Sequence, residues 1–238
     1  MSNSPLVRYT RFSPNHSGQR THEIDRITPH CVVGQCTVEA LGDIFLPTSR
    51  KASSNYGIGV DGRVGMYVEE KNRSWCSSSA ANDQRAVTIE CASDSTEPYA
   101  FKDVVYNKLI ELCVDICKRN SKSKLLWLGD KAKTLNYTPK SDEMVLTVHR
   151  WFADKSCPGS WMYARMGDLA EKVTAALGGQ TQAPLDNAPA AWSKDAVNWA
   201  LENRLLLGDA NGDLKLRENL TREQFCVMLK RYHDLLQK

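Results

Sequence analysis

The chain has 238 residues, 42% of them hydrophobic and 25% charged, with a formal net charge of +3. That is enough to bury one substantial core with a smaller companion, and so mild a basicity argues for neither nucleic acid nor a membrane surface while tolerating a polyanionic partner. No stretch nears the roughly eighteen apolar residues of a membrane span, and MSNSPLVRYTRFSPNHSGQR lacks the apolar centre of a secretory signal. The expectation is a product held in the cytoplasm of the producing cell until something releases it. Its eight cysteines form no CxxC pair and read mostly as reduced thiols.

After a polar N-terminal arm, IDRITPHCVV (24–33) reads as a buried strand, and Thr37 is placed to cap a short helix through VEALGDIF. NYGIGV (55–60) and RVGMYVEE (63–70) form the arms of a hairpin around Asp61-Gly62. RAVTIECA (85–92) is the next strand. FKDVVYNKLIELCVDICKR (101–119) repeats apolar side chains at 105, 109, 112, 113 and 116, the stripe of a helix lying on a sheet. MVLTVH (144–149) is a further strand, and WMYARMGDLAEKVTAAL (161–177) a closing helix stopped by Gly178-Gly179. This order gives an α/β domain over 1–177. GGQTQAPLDNAPA (178–190) has linker composition, and 191–238 holds two helices, 193–207 and 221–236, with Ser193 and Thr221 at the N-cap positions. Glu223 stands too early to complete a capping box with Thr221. The joining GDANGD is a turn; its glycine and acids do not fit a calcium loop.

The chemistry gathers in HRWFADKSCPG (149–159). Catalytic zinc takes three protein ligands and leaves a fourth position to water. His149 and Cys157, eight residues apart, supply two ligands across a loop whose return Pro158-Gly159 sets. His30 is the best third, because ITPHC is again an apolar strand ending in histidine. Its neighbour Cys31 points to the opposite strand face and stands as a rival or supporting thiol. Cys113 and Cys117 share the apolar helix stripe, so core burial is the reading for them.

With its lysine six residues after the histidine, its cysteine eight after and Pro-Gly following, HRWFADKSCPG resembles the signature of the zinc-dependent type 2 amidase family. That family takes in phage lysozyme-type amidases, bacterial muramoyl amidases and peptidoglycan recognition proteins. The resemblance runs through most of 22–177. It implies a central, mostly β, sheet flanked by helices, with Zn2+ held by His30, His149 and Cys157. SSNYGIGVDGRVGMYVEEKNRSW is similar to the segment carrying the family's active-site tyrosine, which implies that role for Tyr56, although Asn55 stands where the family usually has histidine. NDQRAVTIEC is similar to the strand that ends in a catalytic glutamate, which implies Glu90 as base and proton donor. Lys155 then steadies the developing oxyanion.

WSKDAVNWALENRLLLGDANGDLKLRENLTREQFCVMLKRY resembles one S-layer homology repeat through Trp192, Trp199-Ala200, Gly208-Asp209 and LTREQF. Such a repeat implies binding to an anionic secondary wall polymer, with Arg222 meeting the anion. Repeats of this kind commonly act in threes, which raises self-association through the C-terminal domain; a helical pair packed on the first domain or on a twin is the plainer alternative. The reading is an N-acetylmuramoyl-L-alanine amidase that cuts peptidoglycan, endolysin-like, acting on the wall after release. A cytosolic wall-recycling amidase, a recognition module that binds without cutting, and a structural zinc domain closed by Cys31 remain as alternatives.

Overall fold

The computed structural model describes residues 2–178, 187–208, 212 and 214–237. The chain forms two compact units, Met1–Thr181 and Gln182–Lys238. The first contains strands β1 (Val7–Thr10), β2 (His16–Gln19) and β3 (Arg26–Cys31), helix α1 (Val38–Phe45), strands β4 (Tyr56–Ile58), β5 (Val64–Met66) and β6 (Asn72–Ser74), helix α2 (Ala80–Arg85), strand β7 (Ala86–Cys91) and helix α3 (Asp103–Arg119). Strand β8 (Lys124–Leu126), helix α4 (Lys131–Leu135), strand β9 (Glu143–Leu146) and helices α5 (Gly159–Tyr163) and α6 (Met166–Ala176) complete it.

Seven strands make one sheet in the order β1-β5-β4-β7-β3-β9-β8, parallel throughout except for the β4–β5 hairpin, and β2 pairs with β6 apart from it. This is the α/β architecture expected from the sequence, a central sheet flanked by helices. Gly62, at φ +79°, supplies the left-handed turn of the hairpin. One sheet face packs on α3 and α6: Ile27, Ile89 and Cys91 meet Val105, Leu109, Leu112, Cys113, Ile116 and Cys117, so both helical cysteines are core. On the other face α1 carries Leu41 and Phe45 against Tyr67. Thr37 Oγ1 caps α1 by accepting from Ala40 N at 3.2 Å. Tyr67 passes over Gly57, where a Cβ would lie 2.7 Å from its ring, and its hydroxyl donates to Val38 O at 2.8 Å. The glycine lets the ring tie α1 down onto the hairpin.

Several boundaries differ from expectation. The predicted helix over 161–177 is two, α5 and α6, because its aromatics serve opposite neighbours: Trp161 meets Phe101 and Tyr106, whereas Tyr163 meets Trp127. The predicted strand 144–149 stops at Leu146, and His149 opens a 3-10 turn through Trp151. In the second unit, α7 (Lys194–Glu202) is shorter than predicted, and α8 (Arg222–Leu236) begins with a full capping box. Gln224 at the third position completes that box, which the reading through Glu223 had overlooked. Most of the predicted linker, Gly179 of the predicted helix stop, and Asp209, Ala210, Asn211 and Asp213 of the GDANGD turn lie outside the described residues. Among the described residues no helix is long and apolar enough to cross a membrane.

A buried ion pair locks the N-terminal arm to α3. The Glu70 side chain is 0% exposed, accepts from Tyr56 Oη at 2.7 Å and forms a bidentate pair with Arg119, whose guanidinium also reaches Asp115 Oδ2 at 2.9 Å. Ser4 N donates to Tyr56 Oη (2.9 Å), Asn3 Oδ1 accepts from Glu70 N (3.0 Å), and Arg119 also donates to Ser2 O. Removing one partner of such a pair strands the other charge, so Arg119→Ala should destabilise the first unit by about 3–5 kcal/mol in denaturant unfolding. A loss below about 1 kcal/mol would show the pair behaving as a surface contact.

Candidate functional site

In open α/β sheets, ligands bind beyond the carboxyl ends of the parallel strands. Here β3 and β7 pair in parallel with His30 opposite Glu90, so both side chains leave the same sheet face side by side. β9 runs along the other edge of β3, and the chain beyond it delivers His149 and then Cys157. His30, His149 and Cys157 place ligand atoms within 4.8 Å of one another. Cys157 Sγ lies 3.3 Å from His30 Nδ1, and the two imidazole rings meet edge to face at 5.1 Å.

This donor set fits zinc. Bond lengths of about 2.0–2.1 Å to nitrogen and 2.3 Å to sulfur put tetrahedral N and S ligands about 3.5 Å apart, within a few tenths of the Cys157 Sγ to His30 Nδ1 distance. Burial, reinforced by His149, holds the His30 ring well below its ordinary pKa; burial and the Lys155 ammonium lower that of His149. Both imidazoles are therefore neutral, the form that binds metal. The Cys157 thiol is pushed well above its usual range, first by its hydrogen bond with Cys31 and then by burial, so a cation is what would make it a thiolate. Cys31 packs into the α3 core and borders the cleft, but it stands outside the three-donor group.

The cleft holds about 290 Å³ and is bordered by Val32, Val33, Ile44 and Phe45 on its apolar side. Arg50, Lys155 and Glu90 supply its charges. Desolvation pushes the Glu90 carboxyl up to about 7, against a weak hydrogen bond from Cys76 (Sγ to Oε1, 3.7 Å) and the pull of Arg50. Lys155 is exposed at the mouth.

Tyr56 is not part of this site. It pairs with Ile89 rather than Glu90, joins the α3-side core with 0% exposure, and spends its hydroxyl on Glu70 and Ser4. Strand alternation is the reason: a residue in register with Ile89 faces away from the cleft. Arg222 lies in the second unit, exposed at the start of α8.

Three residues of the site escaped the sequence reading. Arg50 comes from the 3-10 turn after α1, and Cys76 from the loop after β6. Ser78, at φ +61°, brings its Oγ within 2.9 Å of His149 Nε2, which leaves Nδ1 for coordination. None sits on a strand or an α-helix, so periodicity carries no signal for them; the polar run CSSS (76–79) is the local clue to Cys76 and Ser78.

The model of the N-acetylmuramoyl-L-alanine amidase family matches residues 19–160. Among solved structures the chain is similar to the hydrolase AmiA of Staphylococcus aureus in complex with its ligand, with a TM-score of 0.50, 12% identity, and coverage of 76% of this chain and 88% of that one. It is also similar to an endolysin N-acetylmuramoyl-L-alanine amidase, LysCS, from Clostridium intestinale (TM-score 0.46, 14% identity, 73% and 98% covered). A variant of Drosophila PGRP-LB in complex with tracheal cytotoxin gives 0.46, 12%, 66% and 87%. At 12% identity the likeness to AmiA speaks to the fold alone. No curated protein matches the sequence.

The site should take up zinc tightly, and His30→Ala and His149→Ala should each abolish that uptake in competition with a chromogenic chelator. Ser78→Ala removes a partner that orients His149, and its zinc affinity should fall by about 10–100-fold. Unchanged affinity would show that Ser78 does not hold the ring.

Proposed function

Because the chain belongs to the N-acetylmuramoyl-L-alanine amidase family, we propose that it hydrolyses peptidoglycan with zinc, cutting the amide between the lactyl group of N-acetylmuramic acid and the first L-alanine of the stem peptide. The observation that carries this reading is the meeting of His30, His149, Cys157 and Glu90 in one cleft beyond the carboxyl ends of β3, β7 and β9. Zinc bound there would acidify its water and polarise the scissile carbonyl.

The rest is the work of the chain. Glu90, ionised as the pH passes about 7, takes the proton of the attacking water and returns it to the departing amine. Its desolvated setting keeps that proton affinity close to working pH, which favours both halves of the transfer. Lys155 places a positive charge at the mouth, where negative charge grows on the carbonyl oxygen. The apolar wall of Val32, Val33, Ile44 and Phe45 excludes water from one side and suits a peptide's alanine. Tyr56, turned to the other face, contributes stability and no hydrogen bond to the reaction.

We infer further that 1–177 is the catalytic domain, 178–190 a linker and 191–238 a wall-binding module like one S-layer homology repeat, with Arg222 meeting an anionic secondary wall polymer. Supporting this are the sequence likeness and a second unit that leaves Trp192, Trp199, Phe225, Leu229 and Tyr232 exposed. One repeat binds weakly, and pairing of copies through this unit would raise avidity. In this reading the protein is an endolysin, made in the cytoplasm of its producing cell and acting on the wall after release.

Digestion of purified Gram-positive peptidoglycan should release amino groups, with L-alanine as the new N-terminus, and no reducing ends, and a chelator should stop it. Binding without release would instead make the protein a recognition module. Glu90→Gln should keep its zinc and lose about 10²–10⁴ in turnover. The sign of the pH dependence follows from the raised carboxyl: below about pH 7 Glu90 is protonated and cannot act as base, so kcat/KM should rise with pH through that value. A wild-type profile flat from pH 5.5 to 8 would remove Glu90 from the role.

A further inference from the structure

Beside the first donor group stands a second. His30, Cys76 and Glu90 also place ligand atoms within 4.8 Å of one another, and imidazole, thiolate and carboxylate are each zinc donors. His30 is 1% exposed; its Nδ1 faces Cys157, and its Nε2 is buried with no hydrogen-bond partner. Glu90 Oε2 is likewise buried and unpartnered, and Glu90 Oε1 has only the long contact to Cys76 Sγ. Buried polar atoms in native proteins nearly always have a partner. Here two orphans stand on paired positions of neighbouring strands, with a thiol beside them.

We propose that His30, Cys76 and Glu90 form a second zinc-type cation site, built on the ring nitrogen of His30 that the first site leaves unused, and that filling it inhibits the enzyme. The inhibitory half rests on the reading of Glu90 as the base. Binding releases the Cys76 thiol proton and the His30 ring proton to the buffer, with no change of oxidation state. The charges then close: two thiolates, one carboxylate and one imidazolate offset the four positive charges of two zinc ions. Arg50 and Lys155 at the mouth oppose a further cation, so the second site fills only at higher free zinc than the first. Once coordinated, Glu90 has given up the lone pair that would receive the proton of the water.

The test uses the full chain, stripped by chelator and titrated in a buffered series of free zinc, with bound metal, released protons and peptidoglycan hydrolysis followed together. The expected result is two zinc ions per chain in two steps, the second accompanied by proton release and an activity loss of about 100-fold. Cys76→Ala and Glu90→Gln should each bind one zinc only, and Cys76→His, which restores a donor, should recover the second step. A single zinc per chain across the whole series overturns this proposal and leaves the amidase reading standing. So does a second zinc undiminished in Cys76→Ala, which would place it elsewhere, for example on the exposed Cys226. No bound zinc at all overturns both.

Discussion

The site depends on one pairing, the parallel register of β3 with β7 that sets His30 opposite Glu90. Because side chains alternate along a strand, this register puts a metal donor and a carboxylate on the cleft face while Ile27, Ile89 and Cys91 face α3. A slip of one residue would turn both functional groups into the helix-packed core. A hydrogen-bonded layer beneath the site holds the register. Thr28 Oγ1 and Thr147 Oγ1 lie 2.7 Å apart, and Asn82 bridges them, its Nδ2 donating to Thr28 at 3.0 Å and its Oδ1 accepting from Thr147 at 3.1 Å. The layer joins β3 to the segment leading out of β9 through α2, so the strand bearing His30 and the segment leading to His149 cannot move apart independently.

Much of this frame is legible in the sequence because it rests on periodicity and short-range spacing. The apolar stripe of α3, the Thr37 cap, the Asp61-Gly62 turn and the strands around Ile27 and Ile89 each carry a local signal, and each is found near its expected place. The meeting of His30, His149 and Cys157 follows from two strand ends and one eight-residue loop. The structure turns Tyr56 away from the cleft, and a three-residue strand gives too little alternation for the sequence to show which face it presents. Ser78, Cys76 and Arg50 reach the site by tertiary folding alone, and no spacing in the chain announces them. The break between α5 and α6 is of the same kind, since only the positions of Phe101 and Trp127 show that Trp161 and Tyr163 have separate partners.

The two faces of the sheet handle charge differently. On the α3 side the buried carboxylate of Glu70 is neutralised by Arg119 and hydrogen-bonded by Tyr56. In the cleft, desolvation disfavours the charged forms of His30 and Glu90, while the cations Arg50 and Lys155 stand at the exposed rim. The first arrangement favours stability, and the second leaves unspent polar capacity where a ligand enters.

The lock around Glu70 also changes what the beginning of the chain is. Ser2, Asn3 and Ser4 supply an acceptor to Arg119, an acceptor to the Glu70 backbone and a donor to Tyr56, so this segment is tied to the interior, with Ser4 buried and Ser2 at the surface. A fusion partner, an affinity tag or a processing cut that drew them out would unseat the hydroxyl and the carboxylate together, on the sheet face opposite the cleft, with nothing lost from the chemistry itself. For anyone handling this protein, the C-terminal unit, whose helices leave most of their side chains in solvent, is the gentler end at which to attach something.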